Sequence, residues 1–146
     1  MVSAVVPKGN FIADEIVDSA DPVMAALRDQ IKEAEAVVIS TPEYNQSFSG
    51  SLKNALDWIS RVEGRPWNSK PVALLSAAAG RSGGARANYA LRLAMTPFRA
   101  RLLPMEVLLA ASGSAFDENG RLLSERVDGQ VADIVAALKA EIARGV

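Results

Sequence analysis

The chain has 146 residues, 49% of hydrophobic type and 23% charged, enough for one compact domain spanning residues 1–146. Sixteen Lys and Arg against seventeen Asp and Glu leave a net charge of −1, which argues against a charge-driven grip on nucleic acid or an anionic membrane. There is no Cys and no His, so disulfides, thiolate nucleophiles, imidazole bases and the common transition-metal sites drop out together. Chemistry must come from carboxylates, hydroxyls, backbone amides or a cofactor.

No apolar run approaches the roughly 20 residues that a membrane helix needs, and MVSAVVPKGN lacks the charged-then-apolar layout of a signal peptide. The expectation is a cytoplasmic protein with no membrane partner. Along the chain, Asp21-Pro22 is a helix start, and Val23, Met24, Leu27 and Ile31 place an apolar face on a helix over 22–34. Ala36 to Thr41 is a short apolar run that reads as a strand buried on both faces, stopped by Pro42. After a polar loop from Glu43 to Gly50, Leu52, Ala55, Leu56 and Ile59 mark a second helix ending near Arg61.

Pro71 to Ala77 is a second buried strand, and the small-residue loop AAGRSGGA leads to a helix over about 85–95 that Pro97 ends or kinks. A third strand is expected around Val107 to Ala110, with Pro104 limiting how early its ladder begins. Asp117 to Gly120 is a turn, and Val127, Val131, Ile134, Val135, Leu138 and Ile142 recur at helical spacing to the end. Alternating helices and buried strands predict an α/β fold with a parallel sheet covered on both faces. In such sheets ligands sit at the carboxyl ends of strands, so loops 42–50 and 77–84 carry the functional expectation.

The first loop opens with Pro42-Glu43-Tyr44-Asn45, and the helix after it begins Gly50-Ser51-Leu52-Lys53-Asn54-Ala55-Leu56-Asp57-Trp58. This stretch resembles the flavin-site motif of the NADPH-dependent FMN reductase family, flavodoxin-like quinone, chromate and azo-dye reductases. The resemblance extends through PVALLSA, through Ser82-Gly83-Gly84-Ala85-Arg86 and into the C-terminal helix. It implies a flavodoxin-like three-layer α/β/α fold, N-terminally truncated relative to the family, and an enzyme that uses FMN and NAD(P)H. The electron acceptor would be a quinone, dye, metal oxyanion or free flavin.

By that likeness Pro42, Glu43, Tyr44 and Asn45 would lie against the isoalloxazine ring with backbone amides directed at its polar edge, where charge grows on reduction. Tyr44 would wall the ring, and Ser76, Gly80, Ser82, Gly83 and Gly84 would form the rim of the second loop. Read without the family, Pro-Glu-Tyr-Asn is a turn and the glycine loop is a flexible opening of a helix. Lys53 and Asp57, four apart, read as a surface ion pair, and Trp58 as core or subunit contact.

From Gly64 to Met105 there is no acidic residue, while Arg65, Lys70, Arg81, Arg86, Arg92, Arg99 and Arg101 are all basic. Such a field suits the phosphates of a pyridine nucleotide, with Arg81 and Arg86 nearest the site; solvated faces or subunit pairs are the alternative, Arg86 and Tyr89 included. The family's G-S-x-R-x-x-S-x-N phosphate loop is not in this sequence, which leaves a non-catalytic, oligomeric relic that no longer retains FMN as the rival reading. Losing the strands before Ala36 would make that strand an apolar edge, to be covered by Met1 to Val6 or by another chain. A homodimer or homotetramer is expected by analogy, with Phe48, Trp58 and Trp67 as possible aromatic contacts.

Overall fold

The computed structural model describes residues 22–145. The cap expected at Asp21 and the covering strand expected at Met1 to Val6 lie outside the described residues. The elements are α1 (Pro22–Glu33), β1 (Val37–Pro42), α2 (Gly50–Arg61), β2 (Pro71–Ala77), α3 (Ala85–Met95), β3 (Arg101–Leu109) and α4 (Glu125–Ala143), with 3-10 turns at Thr96–Phe98 and Ser112–Ser114. The strands lie in the order β1-β2-β3, all parallel.

Side-chain alternation along the strands sends two hydrophobic layers to opposite faces. Val37, Ile39, Val72 and Leu74 pack with Ile31 of α1, Leu56 and Ile59 of α2, and Leu91 and Met95 of α3. Ala73, Leu103 and Val107 pack with Val127, Ile134 and Leu138 of α4. Three helices therefore cover one face and α4 the other, and each fully buried aliphatic side chain contributes about 1.5–3 kcal/mol.

Local chemistry sets the ends. Ser49 Oγ accepts from the Leu52 amide at the start of α2, and Ser124 Oγ accepts from the Val127 amide at the start of α4. The C-terminus of α1 is closed from a distance: Lys70, just before β2, donates its ammonium to the carbonyls of Lys32 and Ala34. Partial burial holds that ammonium's pKa below the ordinary lysine value.

Two strand limits differ from expectation. Pro42 is the last residue of β1 rather than its stop, because a strand end on an edge does not require the missing N–H. β3 begins at Arg101, well before Val107, and contains Pro104. The register steps from Val72↔Leu102 to Leu74↔Glu106, so Pro104 sits in a bulge of two extra residues and is exposed. Among the described residues β1 pairs only with β2, as expected of a new edge, yet Val37 and Ile39 are buried beneath the helices rather than bare.

Candidate functional site

The loops leaving β1, β2 and β3 meet at the carboxyl end of the sheet. Glu43 follows β1 directly. Tyr44 to Ser47 form a two-residue hairpin, in which the Tyr44 amide donates to the Ser47 carbonyl at 2.8 Å and the Ser47 amide returns a bond at 3.0 Å. Asn45 (φ 48°) and Gln46 (φ 66°) both occupy the left-handed region, the pattern of a type I′ turn. The tip is thus rigid, and the Asn45 and Gln46 amides have no partner among the described residues. Thr41, 2% exposed, fixes the base of the loop by accepting from the Ser49 amide and donating to the Pro42 carbonyl.

Glu43 turns inward instead of toward an open surface. Its carboxylate accepts from the Ala87 amide at 3.4 Å and lies 3.7 Å from the Arg86 guanidinium. Helix α3 has Gly84 at its N-cap, with no side-chain cap bond and no acid in its first turn. Glu43 supplies from another loop the acceptor and the negative charge that this terminus lacks.

The second loop is packed rather than pliable. Ser76 is 2% exposed and donates Oγ to the Gly83 carbonyl at 2.9 Å, so it holds the loop from beneath and is not a rim residue. A Cβ on Gly83 would meet the Leu108 carbonyl carbon at 2.6 Å, and one on Gly84 would meet Ser76 Cβ at 2.9 Å. At these glycines the loop packs directly against β2 and β3. Gly80 has open space around it, and Arg81 and Ser82 are exposed. The Ala78 amide donates to Leu109, and the Ser112 amide to Ala78, which joins the loop after β3 to the loop after β2.

The structure therefore brings Pro42, the exposed Tyr44 ring, Asn45, Gly80, Arg81 and Ser82 to one end of the sheet, and assigns Glu43, Ser76, Gly83 and Gly84 to the support beneath. The expectation that the amides of 42–45 face a ligand together is corrected: the Tyr44 amide is spent inside the hairpin. Thr41, Gln46 and Asn88 escaped sequence reasoning. Asn45, a residue type that tolerates the left-handed region, was the available turn signal beside Gln46; nothing local marks Asn88, fully buried with neither side-chain polar atom partnered among the described residues.

The basic block is dispersed. Only Arg81 and Arg86 belong to this end. Arg92 donates to the Leu103 carbonyl, Arg101 binds the end of α4 through Glu141 and Gly145, and Lys70 closes α1. Lys53 and Asp57 do form an exposed ion pair, at 2.6 Å. Trp58 is core, packed with Met24 and Val62. Trp67 is buried as well, and Phe48 is partly buried against the main core.

A three-stranded parallel sheet with helices on both faces and its polar loops at the carboxyl end defines a flavodoxin-like protein. Residues 3–115 match the NADPH-dependent FMN reductase family, and the chain belongs to it. It is 40% identical over 124 residues to an NAD(P)H-dependent FMN reductase of Pseudomonas aeruginosa, covering 84% of this chain and 67% of that protein. It is 36% identical over 110 residues to a quinone reductase of Escherichia coli, covering 75% and 53% respectively. Among solved structures it is similar to FerB, a flavoenzyme NAD(P)H:(acceptor) oxidoreductase of Paracoccus denitrificans, with a TM-score of 0.78 and 27% identity over 94% of this chain and 76% of that one. The chain thus spans about half to two thirds of the curated relatives' length. Among the described residues no helix is long and apolar enough to cross a membrane.

Proposed function

We propose that this chain acts as an FMN-dependent NAD(P)H oxidoreductase that reduces a small acceptor: a quinone, dye, metal oxyanion or free flavin. The observation that carries this reading is the hairpin tip, where two adjacent main-chain amides without internal partners are locked by a type I′ turn beside an exposed tyrosine. Fixed donors of this kind stabilise negative charge developing on a planar heterocycle without reorganising. They fit the ring portion of FMN, and Gly80 leaves the opposite loop open to it. Bound flavin supplies hydride transfer between nicotinamide and acceptor.

In this arrangement Asn45 and Gln46 would donate to the ring, Tyr44 and Pro42 would stand beside it, and Ser82 and Gly80 would line the facing loop. Glu43, Ser76, Gly83 and Gly84 hold the two loops at a constant separation. Arg81 and Arg86 receive the nucleotide phosphates. A co-substrate drawn from the nicotinamide pool suits a cytoplasmic enzyme. We further propose a homodimer or homotetramer, because Tyr89 and Leu93 lie four apart on α3 at 56% and 75% exposure.

The test is direct. Purified protein incubated with FMN and gel-filtered should be yellow and should oxidise NAD(P)H when a quinone is added. Failure to bind at micromolar FMN together with no turnover discards the enzyme. Folded, oligomeric, colourless protein would establish the non-catalytic relic instead.

A further inference from the structure

A second concave surface lies at the other end of the sheet. Residues 66–69 lead into β2 and residues 97–100 lead into β3, so they mark the amino ends of the strands. Between them and α2 is a cavity of about 590 Å³, within the size range of small-molecule sites. Its apolar wall includes Trp67 and Phe98, whose rings meet edge to face with centroids 6.3 Å apart. A neighbouring cavity of about 600 Å³ shares Arg65, Pro66 and Asn68 with it and adds Lys32 and Lys70.

Charge at these walls is one-sided. Asp57 is the sole acid among the residues lining either cavity, and it is engaged by Lys53. Arg65 and Arg99 have exposed guanidiniums with no carboxylate partner among the described residues, and the acid-free block of sequence supplies both. Trp67, 5% exposed, keeps its indole N–H buried without an acceptor among the described residues.

The backbone brings the segments bearing the two arginines into contact at some cost. Arg65 (φ 43°), Ser69 (φ 57°) and Arg99 (φ 58°) are all left-handed non-glycine residues. The Asn68 amide donates to the Arg65 carbonyl at 3.0 Å within one segment, and the Ser69 amide to the Arg99 carbonyl at 3.1 Å ties that segment to the other.

We propose that this cavity is a second ligand site, separate from the loops at the carboxyl end, which takes a small aromatic carboxylate. The ring lies against the Trp67–Phe98 wall. The carboxylate sits between the Arg65 and Arg99 guanidiniums, where planar forks match its two oxygens. The inference does not depend on the oxidoreductase reading, since it uses none of the same residues.

The probe is 2-naphthoate, titrated into isotope-labelled full-length protein while the two indole N–H resonances are followed, with Trp58→Phe assigning them. Saturable movement of the Trp67 indole is expected, with 2-naphthylmethanol, the neutral counterpart, binding at least about tenfold more weakly. The Arg65→Gln/Arg99→Gln protein should lose the same factor for naphthoate while its affinity for the alcohol and its thermal melt stay unchanged. Excess FMN should not displace the probe. Equal binding of acid and alcohol, undiminished binding to the double variant, displacement by FMN, or no saturable shift up to about 5 mM would each overturn the proposal. If the double variant melts early, Arg99→Gln alone read against the alcohol decides the matter.

Discussion

Gly83 shows how tightly one residue can be specified. Its φ of 60° and the Leu108 carbonyl 2.6 Å from where a Cβ would stand leave no room for a side chain. Gly83→Ala should destabilise the protein by roughly 2–4 kcal/mol through overpacking and left-handed strain, read from urea midpoints at unchanged slope. Glu43 is the reverse case, a charged side chain 12% exposed that serves a helix it does not belong to. Glu43→Ala should cost about 1 kcal/mol and Glu43→Gln less, because the amide oxygen can still accept from Ala87. Asn88 is fully buried with both amide atoms unpaired among the described residues. Asn88→Leu should therefore be neutral or stabilising by about 1 kcal/mol in thermal melts. Marked destabilisation would count against the reading that Asn88 has no partner in the folded protein.

At the scale of elements, the loops matter because each is braced by an element outside it. The hairpin after β1 is closed by its own hydrogen bonds and joined to α3 through Glu43, while the glycine turn is joined to β2 through Ser76 and packed against β3. A perturbation at α3 therefore reaches both loops. Helix α1 depends in the same way on a residue far along the chain. Lys70→Met removes the donor to the Lys32 and Ala34 carbonyls, and should lower stability by about 0.5–1 kcal/mol with earlier exchange of the last α1 amides. Pro104 is tolerated in β3 for an element-level reason too: the bulge takes it out of the ladder.

For the molecule as a whole, the two ends of the sheet differ in kind. The carboxyl end offers amides and small residues, and the amino end a cavity with unpaired arginines; the basic block feeds both because successive crossovers carry the chain back and forth between them. The side of α3 bearing Tyr89 and Leu93 is an exposed apolar surface, and the one through which we propose that subunits join. If the proposed oligomer forms through this face, Leu93→Asp should yield monomer in sedimentation velocity, with the melting temperature extrapolated to low concentration unchanged. Persistence of the oligomer would move the interface elsewhere.

The helices and the second strand were legible because burial imposes a period, and the period of PVALLSA or of the last helix allows little else. Family membership was legible too, since Pro42 to Asn45 and Gly50 to Trp58 are contiguous runs in one short stretch. What the linear order could not reveal was which functional-looking residues face outward. Glu43 pairs across 44 positions with Ala87, Ser76 across seven with Gly83, and the clash at Gly83 comes from Leu108. Such partners come together only when successive crossovers close onto one sheet. Local propensity, composition and motif are properties of neighbours in the chain, whereas exposure, capping at a distance and the sorting of the basic residues between two ends are properties of packing, and packing alone decided them.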